Sequence, residues 1–323
     1  MDIMTMVRSL PGGVAQGLTW GILGIAVFIT YKVLDFADLT VDGSLATGGA
    51  VAAVAVVTGM HPILAMLLAF LAGAAAGAVT ALLNTKLKIP AILSGILTMT
   101  ALYSVNIPIL RAAKGSTYVD IPPKDGLFGK FATLVGLSPI DNIDVSCIIV
   151  TAIVVVLIIA ALYWFFGTEI GSSVRATGSN EKMARAQGIN TDLTKFIALS
   201  LSNGLAALAG ALIAQLDGQA SLDMAQGTIV IGLASVIIGE LIFGNKTSFW
   251  LKLTGVVIGS VIYRLIFVIA TCVGLDSGYL KLVSSVIVVI TLCVPNVKNF
   301  FAKKGAKNSR DKKRIRSKKN VRN

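Results

Sequence analysis

Ile63–Leu83 reads ILAMLLAFLAGAAAGAVTALL, 21 residues with no charge and a single hydroxyl. About 20 mostly apolar residues in helical conformation cross the hydrocarbon core of a bilayer. Working outward from this stretch, comparable apolar runs recur along the chain. They are Val14–Tyr31, Ser44–Thr58, Ala91–Leu110, Val145–Phe166, Leu193–Leu216, Met224–Phe243, Trp250–Val273 and Tyr279–Val294. The whole 323-residue chain is 55% hydrophobic and 14% charged, with a mean hydropathy of +0.83. Soluble domains carry about 25% charged residues, so this chain has too little polar surface to cover itself in water. A lipid-exposed backbone must satisfy its own hydrogen bonds. The expectation is an all-α polytopic integral membrane protein of about 8–10 transmembrane helices, at least one of them broken.

The net charge of +12 sits almost entirely in the tail. Residues 296–323 carry 12 Lys/Arg and one acid, Asp311, whereas the other 295 residues carry 16 Lys/Arg against 15 Asp/Glu. From Ala302 onward the tail has no aromatics interleaved with its charges for base stacking. It reads as a basic, disordered cytoplasmic tail that fixes topology, compatible with weak contact to anionic membrane lipid and not with nucleic acid. Counting back from it, Gly167–Asp192 and Lys86/Lys88 fall inside, and Arg111–Asp144 and Asp217–Asp223 fall outside. Tyr163, Trp164 and Trp250 then lie at the inner boundary as an aromatic belt. Nine crossings place the N-terminus outside; a re-entrant or split segment at 34–43 moves it inside. The organisation is thus a membrane domain, 1–295, with an external loop 111–144 and an internal loop 167–192, followed by the tail 296–323. The first segment reads as a retained helix, not a cleaved signal.

Two polar stretches stand out. LDFADLTVDGS, Leu34–Ser44, brings Asp35, Asp38 and Asp42 between two apolar segments, where carboxylates are expensive. Broken helices place such groups along a solute path, so Asp35, Asp38, Thr40, Asp42 and Ser44 are candidate path residues. The same stretch can also serve as cap and hinge, with Asp42 or Ser44 capping a helix start, or as an ordinary loop. The other is VRATGSNEKMARAQGIN, Val174–Asn190. Asn180 is a good N-cap, Glu181 suits a first turn, and Gly188 suits a helix end. This predicts a two-turn helix over Glu181–Gln187, too short to stand alone in water and so suited to docking, with Arg175, Lys182 and Arg185 as a basic surface. The alternative is an amphipathic connector at the head groups.

Other chemistry is largely excluded. Cys147, Cys272 and Cys293 lie in apolar stretches without CxxC spacing, so neither a disulfide framework nor a metal site is indicated. The sole His61 cannot build a triad. Gly239–Thr247 approaches a P-loop, but Asn245 separates the second Gly from Lys246 and no strand precedes it. Glu240 reads instead as a structural cap or as a pair with Lys246, with a proton relay as the alternative. The sequence indicates neither an enzyme nor a resident cofactor. The Gly73/Gly77 and Gly255/Gly259 GxxxG pairs allow close helix approach, within one subunit or at a subunit interface.

VRATGSNEKMARAQGIN resembles the cytoplasmic coupling loop of ABC-importer permeases of the branched-chain amino acid/ribose/nucleoside group, which reads like R-A-x-G-x-N-x-x-A-A-x-x-x-G-I. Arg175, Ala176, Gly178, Asn180, Ala184, Gly188 and Ile189 match, and Met183 stands where Ala is common. LDFADLTVDGS, together with GLASVIIGE at Gly232–Glu240, is similar to the tryptophan/tyrosine-type permeases of that group, with Asp35 where Asn is usual. The resemblance covers Val14–Pro295. It implies the permease subunit of an importer in a bacterial cell membrane, carrying an aromatic amino acid or similar small solute. The implied partners are cytoplasmic ABC ATPase subunits, an extracytoplasmic solute-binding protein and a second permease subunit in a homodimer. Arg175, Gly178, Asn180, Glu181, Lys182, Ala184, Arg185 and Gly188 are then the ATPase-coupling residues. The alternative is an ion- or proton-coupled secondary transporter. It needs mid-span charges, absent from segments three to six and nine, and an inverted repeat, which is not evident. A membrane scaffold would leave the capped loop and the Asp cluster unexplained.

Overall fold

A computed structural model describes residues 3–114, 117–135, 143–244 and 248–272, together with 282, 285, 286 and 289. Eight helices in it are long and apolar enough to cross a membrane: Ser9–Val33, Thr40–Val57, Pro62–Thr85, Ala91–Ala113, Val145–Gly167, Thr191–Asp217, Leu222–Phe243 and Phe249–Cys272. Apart from residues 282, 285, 286 and 289, the ninth expected segment, Tyr279–Val294, lies outside the described residues, as does the basic tail. The elements are α1 (Ile3–Phe28), α2 (Thr40–Val57), α3 (Pro62–Thr85), α4 (Ala91–Lys114), β1 (Tyr118–Asp120), α5 (Leu127–Val135), α6 (Ile143–Gly167), α7 (Glu169–Ser179), α8 (Glu181–Ala186), α9 (Thr191–Asp217), β2 (Gln219–Ser221), α10 (Thr228–Phe243) and α11 (Phe249–Cys272).

α1, α2 and α9 form the centre, and most of each is buried. Their small residues make this possible. A Cβ on Gly48 would meet the Ala207 carbonyl, and one on Gly210 would meet the Leu45 carbonyl, so α2 and α9 cross at backbone contact. Gly73 and Gly77 do the same for α3 against Asn203 and Leu199 of α9, and Gly259 for α11 against Ser235 of α10. Both GxxxG pairs therefore pack within one subunit. Gly13, Gly17, Gly21 and Gly24 of α1 meet Val268, Val261, Val257 and Val256 of α11, an antiparallel pairing. The outer helices leave apolar rows uncovered, such as Leu64, Leu67 and Leu71 on α3 and Ile153, Val156 and Leu157 on α6, as lipid-facing surfaces require.

The region expected as one polar loop, 111–144, holds structure of its own. α4 runs on through Pro108 to Lys114, β1 pairs antiparallel with β2, and α5 follows. Leu127 N–H, in the first turn of α5, donates to the Gln215 side chain at 2.8 Å. The span Leu222–Phe243 is itself broken: a 3-10 turn, Leu222–Ala225, precedes α10, and the break falls at Gly227 with φ +82°.

Candidate functional site

α1 ends in a π turn, Ile29–Val33, and the chain then runs non-helically from Leu34 to Leu39. Leu34, Phe36 and Asp38 are buried while Asp35 and Ala37 are exposed, the period-two alternation of an extended segment. Asp35 takes a left-handed φ of +54°, a conformation Asp tolerates better than most residues. Asp38 is 3% exposed. Its Oδ1 accepts from Thr40 N–H at 2.9 Å and caps the start of α2, and its Oδ2 accepts from Asn203 Nδ2 at 2.7 Å. Asn203 Oδ1 in turn accepts from Ser44 Oγ at 2.7 Å. Thr40 Oγ1 lies 2.7 Å from Thr80 Oγ1, which donates to Thr98 Oγ1 at 2.9 Å. A buried polar seam thus ties α2 to α9, α3 and α4.

Asp42 does not cap its own helix, the alternative to its place on the solute path. α2 already begins at Thr40, so Asp42 sits within its first turn and turns outward to another helix. It accepts from Thr228 Oγ1 at 2.7 Å, Ile229 N–H at 2.8 Å and Gly227 N–H at 3.2 Å. It therefore caps α10 from 186 residues away, satisfying orphan donors and placing a negative charge at the positive end of that helix. Asp42 and Gly43 also border a cavity of about 340 Å³. Of the five candidate path residues, Asp38, Thr40 and Ser44 meet in the seam, Asp42 joins α10 and the cavity, and Asp35 stands apart.

The second constellation is a surface hairpin. Thr168 caps α7 by accepting from Gly171 N–H, and Thr177 bonds Thr194 of α9 at 2.9 Å. Asn180 ends α7 and caps α8, accepting from Met183 N–H at 3.0 Å. α8 spans Glu181–Ala186, with Gln187 as its C-cap and Gly188 at φ +85° beyond it. The predicted short helix is thus present; the helix before it, α7, was not foreseen, its sequence EIGSSVRATGS carrying few apolar residues. Arg185 does not present a free charge: it donates to Thr191 at 2.6 Å and pairs with Asp192 at 2.8 Å and Glu181 at 3.2 Å. Lys195 pairs with Glu181 at 2.8 Å. That hydrogen bond from Lys195, more than the charge of Arg185, holds the Glu181 carboxyl below its ordinary range. Ala184 is buried, while Arg175, Lys182 and Met183 are exposed. A Cβ on Gly178 would collide with the Val33 carbonyl and with Leu34. The hairpin therefore touches the start of the segment that carries Asp38.

Sequence reasoning missed the partners of these residues. Asn203, Thr80 and Thr98 are polar groups inside apolar segments, and that was their only signal. Glu240 pairs with Lys32 at 2.9 Å; Lys246, its expected partner, lies outside the described residues. Arg264 is a charge within the Phe249–Cys272 span, donating to Gln16 at 2.7 Å under the Trp20 ring.

Helices long and apolar enough to cross a membrane, a polar seam at a helix break and a capped surface hairpin are compatible with a transport permease. A family model described as branched-chain amino acid transport system / permease component matches residues 9–292. The chain is 35% identical over 292 residues to the tyrosine transport system permease protein of Clostridioides difficile (strain R20291), covering 90% of this chain and 93% of that one. It is 28% identical over 277 residues to the ribose import permease protein RbsC of Escherichia coli (strain K12), covering 85% and 82%. In fold it is similar to a chain of PsaBC from Streptococcus pneumoniae in complex with Fab, with a TM-score of 0.50, 14% identity and coverage of 90% and 95%. The chain belongs to the branched-chain amino acid transport system permease family: it is the membrane permease subunit of an ABC-type importer, a multi-pass protein of the bacterial plasma membrane.

Proposed function

We propose that this permease carries an aromatic amino acid, and that it works as a homodimer with two cytoplasmic ATPases and an extracytoplasmic solute-binding protein. The 35% identity to a tyrosine transport permease, against 28% for a ribose permease, supports the solute. The hairpin α7–α8 faces the cell interior, as its positive charges require, and Arg175, Lys182 and Met183 are its docking surface. Asn180, Glu181, Ala184, Arg185 and Gly188 give the hairpin its shape. The C-terminal tail lies on the same side.

One observation carries the mechanism. Gly178 packs directly on Val33 and Leu34, where the helix break begins. When a motor protein pulls on α8, the displacement reaches the 34–39 segment with no intervening side chain. Asp38, Thr40 and Ser44 hold that segment to α2 and α9, and Asp42 carries the motion to α10 at the edge of the solute path. Coupling needs two arrangements of a rigid contact, not a soft linker.

The test uses the permease reconstituted with its ATPase and binding protein in vesicles. Gly178→Val and Arg175→Ala should lower transport-coupled ATP hydrolysis without blocking insertion; unchanged coupling in both overturns the docking role. Labelling of a cysteine at Ser179 from outside intact cells overturns the orientation. Wild-type vesicles that accumulate ribose and no aromatic amino acid overturn the solute.

A further inference from the structure

The cavity beside Asp42 contains a group that nothing in the fold explains. Asn106, on α4, is 1% exposed, and neither its Oδ1 nor its Nδ2 has a hydrogen-bond partner. Buried amides are almost always satisfied. This one lines the 340 Å³ cavity between the start of α2, α4 and the turn before α10, within the range of about 300–1,000 Å³ typical of small-molecule sites. Met99, Tyr103 and Asn106 stand at i, i+4 and i+7, so they share one face of α4, and all three line the cavity with Leu222 across from them. Asp42 adds a carboxylate at the rim. Its oxygens already accept from the start of α10, which keeps it in place.

We propose that this cavity is a solute-binding station on the transport path and that Asn106 is its specificity-determining residue, pairing with the polar head of a zwitterionic amino acid whose side chain lies against Met99, Tyr103 and Leu222. The inference rests on the amino-acid reading above. An Asn amide offers both an acceptor oxygen and a donor NH₂. An ammonium and a carboxylate on one carbon meet both, and the ammonium is also drawn to Asp42. The flexible thioether of Met99 and the ring of Tyr103 favour an aromatic body. A sugar would satisfy the amide but would leave the apolar wall unused.

The experiment compares wild type with Asn106→Leu and Asn106→Gln in vesicles containing the ATPase and the binding protein, with L-tyrosine as the probe. Leucine is close in shape and removes the unmet polar group, so a purely structural Asn106 predicts an unchanged or raised melting temperature and full uptake. The station predicts that melting temperature together with uptake lowered about tenfold or more at saturating binding protein, because the solute's head loses its partner, and partial recovery in Asn106→Gln. A second measurement does not depend on the leucine variant folding. With Cys147, Cys272 and Cys293 replaced by alanine, an Asn106→Cys variant should react with a small water-soluble thiol reagent, and millimolar L-tyrosine should slow the reaction. Wild-type uptake in Asn106→Leu, labelling indifferent to tyrosine, or a disulfide between two Asn106→Cys copies that seals the site would each overturn the station while leaving the function standing. Wild-type vesicles that move no tyrosine would overturn the amino-acid reading itself.

Discussion

Asp38 and Glu181 are both carboxylates that organise a helix start, yet they do so under opposite conditions. Asp38 is enclosed by α2 and α9, and its oxygens accept from Thr40 and Asn203 with no water to compete. Glu181 sits on a surface hairpin, where Lys195 and Arg185 reach it but solvent does too. Exposed ion pairs contribute about 0–1 kcal/mol, whereas removing one partner of a buried polar pair costs about 1–3 kcal/mol, more for charged groups. The seam is therefore the part that sets stability, and the hairpin is the part that can be reshaped around a partner without endangering the fold.

Substitutions can break this contrast, beginning with the largest effect. Asp42→Ala removes three hydrogen bonds at the start of α10 and should lower stability by about 3 kcal/mol, since bonds to charged groups contribute about 1.5–3 kcal/mol each and do not add fully. Thermal unfolding of the purified permease measures it. Asp42→Asn and Asp38→Asn should assemble but transport poorly, seen as a larger fall in uptake than in melting temperature. Asn203→Leu strands both Asp38 and Ser44 and should cost about 2 kcal/mol; a double-mutant cycle with Ser44→Ala should show coupling of about 0.5–3 kcal/mol.

On the hairpin the balance reverses. Lys182→Glu should change stability by no more than about 0.5 kcal/mol but weaken ATPase association, more so at low salt, as read by co-purification across a salt series. The smallest effect is that of pH on Glu181. Its carboxyl is held below the ordinary range by Lys195, so the unfolded chain takes up that proton first as pH falls. The stabilisation is complete above about pH 4.3, the ordinary Glu value, and disappears as pH drops through the lowered value. Glu181→Gln should remove this acid-side slope and lower neutral-pH stability by the same small amount.

What could be read beforehand follows the range of the interactions. Spanning helices declare themselves in local hydropathy, and among the described residues eight of the expected segments fall on helices. The Asn180 cap and the Gly188 stop are also local, so α8 was legible to within a residue. The reading of Asp42 as a cap of its own helix, one alternative to a place on the solute path, came from neighbours alone; its partners, Gly227 and Thr228, come from a different part of the chain. The β1–β2 ribbon is three residues per strand, below the length at which alternation is informative. Asn203 and Asn106 look alike in sequence, one asparagine each in an apolar run. Only packing separates the first, fully bonded, from the second, which has no partner.

Lys32 holds Glu240 near one end of α10, and Asp42 holds Thr228 at the other. Those 16 helical residues measure about 24 Å at 1.5 Å per residue, and the chain from Lys32 to Asp42 stretches alongside them like a bowstring. α10 therefore cannot tilt alone: lengthening or slackening the string must swing the whole rod. Gly178 rests against that string close to its Lys32 end.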